Sequence, residues 1–399
     1  MLKKRFPNPD LIYLLAASLF FGAAGGILSS TLNNYLSNVH GIDASTRGWL
    51  EFPRELPGFL VMFSAAALLG VMRETRMASV AMLLTCTGAL GLAFMAKETA
   101  TLVLFIFIWS MGDHIIFAVE SPIGLKLARE GSEGRRLGQL GGMGNVGLIL
   151  GLGVVYLLAK LFGDRYDLFY LVSAICALLA GFCYFKLKVG RDSERSRKMV
   201  FKRKYGLFYA ISALFGVRKQ IFMVFGGWVL VSIHKVPVET IALLYMIAAG
   251  LGILLRPLLG DVIDWLGERT VLATDELLLL VICLTYAFAG DLFAKPWALR
   301  VLYSAYVLDS VLFALRIARV TYLKKIADHP SEITPTVSLG VTIDHSVAMT
   351  LPILSGFVWE RFGFRWVFVI AGAVAVAGFF VCLRIRTPVA TNPGTGYPG

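Results

Sequence analysis

The sequence predicts an all-α polytopic membrane protein in which twelve transmembrane helices form two pseudo-symmetric six-helix bundles. Three observations predict this fold class. Only 16% of the 399 residues are charged and 57% are hydrophobic, whereas a soluble protein carries about 25% charged residues. Apolar runs of about 20 residues, the length that crosses a bilayer, recur along the whole chain. Charged positions inside these runs recur about half a chain apart.

The apolar runs follow one another with short polar connections. The first run comes after three basic residues and has no small-residue cleavage site, so it indicates a membrane helix rather than a signal peptide. The predicted spans are residues 11–35, 49–70, 77–96, 100–123, 136–160, 166–187, 206–233, 238–259, 270–290, 297–319, 335–359 and 364–385.

The basic residues lie mostly at the ends of the apolar runs. The densest cluster, 186–204, holds nine Lys or Arg and two acids. Such clusters keep a loop in the cytoplasm, so the net charge of +12 indicates membrane orientation and not nucleic-acid binding. We expect both termini in the cytoplasm and the protein in the inner membrane. The predicted division is an N-terminal bundle (1–187), a basic linker (188–205), a C-terminal bundle (206–386) and a flexible tail (387–399).

Charged residues inside the spans indicate a polar interior. Asp113 and Glu120 are seven residues apart in span four, and Asp309 and Arg316 have the same spacing in span ten. Seven residues are almost two helical turns, so each pair is expected on one helix face. A charge in a membrane helix costs about 2.5–3.5 kcal/mol on insertion scales and usually faces protein or water.

A second repeat links spans five and eleven. Leu140-Gly141 with Asn145 matches Leu339-Gly340 with Asp344, about 200 residues later. Two related groups of six helices with polar residues between them are typical of a transporter. The many glycines of span five are expected to serve helix packing.

The connection after span eight carries a recognisable motif. Residues 260–269 read Gly-Asp-Val-Ile-Asp-Trp-Leu-Gly-Glu-Arg, which resembles the G-x-x-x-D-x-x-G-x-R signature of the major facilitator superfamily. With twelve spans and a half-chain repeat, the resemblance covers essentially the whole chain and implies that fold. It also implies a cytoplasmic latch at Gly260, Asp264, Gly267 and Arg269. The N-terminal counterpart departs from the signature, with Glu74 in place of the aspartate.

Two Asp-His pairs are candidates for proton coupling. Asp113-His114 lies in span four and Asp344-His345 in span eleven, and a desolvated carboxylate beside an imidazole can bind a proton near neutral pH. Asp309 is a further candidate. The alternative is a static ion pair, for instance with Arg218 or Arg316.

The two Asp-His pairs would suit a divalent metal only if the two spans approach each other, and no metal site is predicted.

Cationic residues within apolar runs are candidates for binding an anionic solute, because Arg can hold a carboxylate through two hydrogen bonds. The predicted substrate-binding residues are Glu120, Asn145, Arg218, Lys219 and Arg316. Alternatively, Arg218 and Lys219 extend to the membrane surface. The charges of residues 51–55, at the outer mouth, indicate either a gate or a capped helix start, of which the cap is preferred. Asp275 and Glu276 are interpreted as interfacial.

The leading functional prediction is a monomeric secondary transporter that moves a small polar solute, anionic or zwitterionic, with proton coupling. The alternative is a drug/proton antiporter, and less favoured readings are a divalent-metal transporter or a membrane enzyme. The sequence has no G-x-S-x-G, H-E-x-x-H or P-loop motif, which argues against an enzyme. The five cysteines are scattered without C-x-x-C, and no cofactor is predicted.

Overall fold

A computed structural model describes residues 8–129, 131–189 and 201–386, and these residues are almost entirely helical. The N-terminal half contains α1 (Pro9–Asn38), α2 (Ala44–Trp49), α3 (Glu51–Val71), α4 (Glu74–Phe94), α5 (Thr99–Lys126), α6 (Glu133–Phe162) and α7 (Tyr166–Lys186). The C-terminal half contains α8 (Gly206–Gln220), two π-helical turns (Ile221–Gly226 and Val229–Ile233), α9 (Val238–Leu292), α10 (Lys295–Leu312), α11 (Ile317–Ile326), α12 (Ile333–Phe362) and α13 (Phe364–Cys382). A 3₁₀ turn, Phe313–Arg316, joins α10 to α11.

The predicted fold class is confirmed. Eleven helical segments in the described part of the chain are long and apolar enough to cross a membrane, and α3 lies at the position of the second predicted span. An even number of crossings puts the start of α1 and the end of α13 on the same side, which we call the terminal side. The other is the opposite side. The predicted tail 387–399 and most of the predicted linker, 190–200, lie outside the described residues.

The connection between spans eight and nine differs from its prediction as a loop over 260–269. The helix continues through Gly260 and breaks only at Gly267, where φ is 76° and ψ is 156°. This backbone conformation is open almost only to glycine. The second glycine of the signature is therefore the hinge between the two spans.

Glycines also mark the pseudo-symmetry of the halves. Gly163 follows α6 with φ 72°, and Gly363 follows α12, 200 residues later, with φ 92°.

Within the N-terminal half, α1 packs on α6 with almost no space between the backbones. A Cβ on Gly147 would lie 1.8 Å from the Leu19 carbonyl oxygen, and one on Gly151 would lie 2.3 Å from that of Ala23. These two glycines of span five thus have a packing role, as expected.

The two halves meet from mid-depth to the opposite side. Helix α12 packs on α2 and α3, and α6 packs on α9. A Cβ on Gly48 of α2 would lie 2.1 Å from the Pro352 carbonyl oxygen of α12. Nearer the opposite surface, Asn34 donates a hydrogen bond to the Val236 carbonyl oxygen (2.9 Å). In the same region Lys160 lies 3.5 Å from Glu239. These contacts close the molecule on the opposite side.

The end of the linker lies against the loop before α12. Lys202 pairs with Glu332 (2.5 Å), and Lys204 pairs with Asp328. The hydrogen bond from Lys204 lowers the pKa of Asp328, and the one from Lys202 lowers the pKa of Glu332. The last residues of the linker are thus held to the C-terminal half by solvent-exposed ion pairs.

Candidate functional site

Four charged side chains of α2 and α3 form a buried chain of ion pairs. Arg47 lies 2.6 Å from Glu51, and Arg54 lies 2.6 Å from Glu51 and 2.8 Å from Glu55. Spacings of three and four residues put these side chains on one helix face. Glu51 is fully buried and Glu55 is 3% exposed. Residues 51–55 therefore do not form an exposed, capped helix start, and the alternative of a gate stays a prediction.

Three residues of the C-terminal half complete this chain. His345 Nδ1 lies 3.0 Å from Glu55 Oε2, and Lys219 Nζ lies 4.0 Å from the same carboxylate and 3.4 Å from Asp344. Lys219 is only 12% exposed, so it does not extend to the membrane surface. We call the full set the interface network. It consists of Arg47, Glu51, Arg54, Glu55, Lys219, Asp344 and His345.

The fixed charges of the interface network cancel. It contains three permanent cations and three carboxylates, and His345 adds no charge when neutral. Breaking a buried pair by removing one partner usually costs about 3–5 kcal/mol, because the remaining charge is left in a poorly solvated site. The network therefore favours contact between the halves only while all its members are in place.

His114 lies beside the interface network on α5. Its Nδ1 is 2.8 Å from the Ser110 carbonyl oxygen, and its ring centroid is 5.3 Å from that of His345. The approach of the two rings depends on Gly58, because a Cβ there would lie 2.6 Å from His114 Nε2 and 2.8 Å from His345 Cε1. Spans four and eleven thus meet through their histidines and not through complete Asp-His pairs.

The donor atoms of Glu55, His114 and His345 all lie within 4.8 Å of one another, a grouping suited to a metal ion. Asp113 points into the N-terminal half instead. It accepts hydrogen bonds from Thr85 (3.1 Å) and from the Trp109 indole (2.7 Å). As expected for consecutive helical residues, Asp113 and His114 have different surroundings.

Glu120 and Asn145 lie apart from the interface network in the described contacts. Glu120 accepts hydrogen bonds from Ser18 (2.6 Å) and Tyr184 (3.2 Å), both of the same half. Asn145 is half-buried on α6. The substrate-binding roles predicted for these two residues stay predictions.

Arg218 is committed to two carboxylates inside the C-terminal half. It pairs with Asp275 of α9 and lies 3.1 Å from Asp309 of α10. Asp275 is 7% exposed, so its carboxylate faces the protein interior, and its predicted interfacial depth stays a prediction. Because its guanidinium is already bound to two acids, Arg218 is poorly placed to bind a solute, contrary to its predicted role.

Asp309 and Arg316 are not joined by one uninterrupted α-helix. Residues 313–316 form a 3₁₀ turn with three residues per turn, so the α-helical geometry behind their expected common face does not apply over this stretch. The Arg316 guanidinium instead lies over the Phe313 ring at 5.2 Å, and its predicted role in substrate binding stays a prediction.

A small, partly open cavity lies beside Asp344, between α8, α11 and α12. Arg319 and Ser212 also line it, and the Arg319 guanidinium lies flat against Phe215 at 3.8 Å. Among the described residues, Arg319 Nε and Asp344 Oδ1 have no hydrogen-bond partner. Sequence reasoning missed Arg319 as a site residue, although it lies three residues after Arg316 in an apolar run.

Comparison with known proteins identifies the family. A family model, the Major Facilitator Superfamily, matches residues 14–322. The chain belongs to this superfamily. A search of curated proteins gives no match.

Several solved structures of transporters are similar to this superfamily member in fold. The nucleoside transporter NupG has a TM-score of 0.76 at 16% identity, covering 94% of this chain and 98% of that chain. A bacterial homologue of the human lysosomal transporter Spinster has a TM-score of 0.73 at 14% identity, covering 94% of this chain and 96% of that chain. A D-xylose-proton symporter has a TM-score of 0.70 at 14% identity, covering 95% of this chain and 98% of that chain. At these identities the similarity establishes the fold alone.

The superfamily signature region contains an ion pair in each half, on the terminal side. Glu74 at the start of α4 lies 2.8 Å from Lys126 at the end of α5. Correspondingly, Glu268 lies 2.8 Å from Lys325 at the end of α11 and is 1% exposed. The predicted latch residues Asp264 and Arg269 are exposed. The latch roles predicted for Gly260, Asp264, Gly267, Arg269 and Glu74 stay predictions.

Proposed function

We propose that this superfamily member moves a small polar solute, anionic or zwitterionic, by alternating access driven by the proton gradient. The observation that carries the proposal is that Asp344 belongs to the interface network and also lines the cavity. One of its carboxylate oxygens lies 3.4 Å from Lys219 in the interface network, and the residue also lines the cavity with Arg319. A solute in this cavity therefore contacts the partner of Lys219, the cation that faces Glu55 of the other half.

The chemistry of the cavity supports a solute with a carboxylate or a similar anionic group. A guanidinium binds such a group through directed hydrogen bonds, and Arg319 has an unpartnered donor among the described residues. Asp344 in the same cavity suits an ammonium group, so a zwitterion would match both charges. The cations Arg319 and Lys219 would repel a lipophilic cation, which disfavours the drug/proton alternative.

The proton-binding group is proposed to be the pair of carboxylates that share Arg218. Asp275 and Asp309 lie close together within the membrane, both against the Arg218 guanidinium. Two carboxylates at one site favour uptake of a proton by one of them. One structural neighbour is a D-xylose-proton symporter, which is consistent with proton coupling in this fold.

The solute class is tested with purified protein in liposomes under an imposed pH gradient. Labelled organic acids, amino acids, sugars, nucleosides and lipophilic cations are compared. We expect gradient-dependent movement of an anionic or zwitterionic solute, and at least about a 10-fold loss in Arg319→Gln, because one charged hydrogen bond contributes about 1.5–3 kcal/mol. The control is Arg365→Gln on α13, because the ion pair of Arg365 with Asp291 of α9 is exposed. Movement of only cationic or uncharged solutes would contradict the proposal.

Proton coupling is tested separately with Asp309→Asn. We expect this variant to exchange labelled for unlabelled solute at equal concentrations but to lose accumulation driven by the pH gradient. Accumulation as in the unmodified protein would contradict a coupling role for this carboxylate pair.

We also propose that the terminal side faces the cytoplasm, because basic residues are concentrated in the connections on that side. The test is protease access to a tag at either terminus in inverted and right-side-out membrane vesicles. Cleavage of the tags in right-side-out vesicles would contradict this orientation.

A further inference from the structure

Three side chains with metal-binding chemistry converge where the halves meet. Glu55 comes from α3, His114 from α5 and His345 from α12, and their donor atoms lie within 4.8 Å of one another. Two imidazoles and one carboxylate form the ligand set of several zinc sites, in which water takes the fourth position. Imidazole also suits Ni²⁺, Co²⁺ and Cu²⁺.

The hydrogen bond of His114 leaves the correct nitrogen available. Its Nδ1 donates to the Ser110 carbonyl oxygen at 2.8 Å, which places the lone pair on Nε2. Metal-binding histidines usually donate their second ring N–H to a carbonyl or carboxylate in this way, since it fixes both the tautomer and the ring orientation. The Nε2 atom is on the side of Gly58 and His345.

His345 and Glu55 already have nearly the separation of two ligands on one ion. Their Nδ1 and Oε2 atoms are 3.0 Å apart, and bonds of about 2.0–2.1 Å place neighbouring tetrahedral ligand atoms about 3.4 Å apart. A bound ion would replace the proton between the two atoms. The other oxygen of Glu55 accepts a hydrogen bond from Arg54 at 2.8 Å, which would orient the carboxylate.

Space and charge are both compatible with an ion at this position. Gly58 has no Cβ between the two imidazoles, where one would lie 2.4 Å from His114 Cδ2. Arg54 and Lys219 are close cations, but the carboxylates of Glu51, Glu55 and Asp344 balance the permanent positive charges of the interface network. A dication would therefore enter a site with no net positive charge.

We infer that Glu55, His114 and His345 form a binding site for a divalent transition-metal ion that joins the two halves. Glu55 and His114 belong to the N-terminal half and His345 to the C-terminal half. A bound ion would thus hold the molecule in the state closed on the opposite side. This inference goes beyond solute transport, because it predicts binding and locking whatever the solute is.

The test uses the full chain in detergent with an affinity tag free of histidine. Isothermal titration with Zn²⁺ is expected to give one site per chain, and Mg²⁺ is expected not to compete. His114→Ala, His345→Ala and Gly58→Ala should each weaken Zn²⁺ binding about 10-fold or more, since even the loss of an outer hydrogen bond weakens metal sites about 10–100-fold. The matched controls His234→Ala and His329→Ala should bind as the unmodified protein does.

Two further measurements distinguish this site from metal binding at a cysteine and from binding away from the interface between the halves. Co²⁺ should give a visible spectrum without a thiolate charge-transfer band, because no cysteine belongs to the site. Zn²⁺ should slow hydrogen exchange in α3 and α12 of the unmodified protein but not of Gly58→Ala, which keeps all three ligands. Thermal melting confirms that each variant is folded. Zn²⁺ binding that persists in both His114→Ala and His345→Ala would overturn the site. Hydrogen exchange in α3 and α12 that Zn²⁺ leaves unchanged in the unmodified protein would overturn the locking.

Discussion

Arg54 occupies the centre of the charge balance in α3. It binds two carboxylates, Glu51 and Glu55, which are both almost inaccessible to solvent. Neither carboxylate can regain hydration in the closed state. Arg47 supports Glu51 alone, and Lys219 lies at the longer distance of 4.0 Å from Glu55. The stability of this state therefore depends strongly on one guanidinium.

The substitution Arg54→Gln is expected to lower the free energy of unfolding by about 3–5 kcal/mol, because it leaves a buried carboxylate without its partner. Equilibrium unfolding in mixed detergent and SDS measures the change. The matched control is Arg365→Gln, which breaks an ion pair whose partners are both 48% exposed. It should cost less than about 1 kcal/mol. Equal effects of the two substitutions would contradict the importance assigned to burial.

At the scale of elements, the two glycines of the signature have different physical roles. Gly260 lies within a continuous helix, and Gly267 has φ 76° at the break between two spans. A Cβ at either position would meet no atom within 4 Å. Any difference between their substitutions must therefore come from the backbone conformation and not from packing.

Gly267→Ala is expected to destabilise the protein by about 1–3 kcal/mol, since an L side chain is strained at this φ and ψ. Gly260→Ala should be neutral or stabilise it by up to about 1 kcal/mol, since alanine favours helix over glycine. Unfolding in SDS measures both variants. A destabilising Gly260→Ala with a neutral Gly267→Ala would place the hinge elsewhere.

The 3₁₀ turn at Phe313–Arg316 shows where element-scale prediction fails. The number and type of spans follow from the length of apolar runs, which is a local property. The expectation that Asp309 and Arg316 share a helix face assumed an uninterrupted α-helix, and the cation that binds Asp309 comes from another helix, as Arg218. The sequence of residues 313–316 gives no local signal for this turn, because it contains neither proline nor glycine.

At the scale of the whole molecule, the backbones of the two halves approach each other closely where α2 meets α12. Gly48→Ala would put a Cβ 2.1 Å from the Pro352 carbonyl oxygen, so the halves must separate locally. We expect faster hydrogen exchange in α2 and α12, because the state closed on the opposite side becomes less populated. Gly25→Ala is the control, since a Cβ there meets no atom within 4 Å. Equal exchange in both variants would contradict this role of the contact.

The sequence predicted the fold and several residues of the site, but not which of them come together. Lys219, Asp344 and His345 were candidates, and all three belong to the interface network. Glu55 and Arg319 were missed as site residues because their importance depends on contacts between elements far apart in the chain. The charges of residues 47–55, with steps of four residues or fewer, are the sequence signal that could have indicated a buried helix face. The proton-coupling roles of Asp113 and His114 stay predictions.

The distribution of charge across the interface network has an electrical consequence. The N-terminal half contributes two arginines and two glutamates, and the C-terminal half contributes Lys219 and Asp344, so each half carries no net fixed charge at this surface. Separation of the halves therefore moves no net fixed charge of the network through the membrane field, which acts with about 2.3 kcal/mol per charge per 100 mV. We expect the opening step itself to be insensitive to voltage. Any dependence of transport on membrane potential should then arise from the solute and from charged groups outside the network, such as the carboxylates beside Arg218.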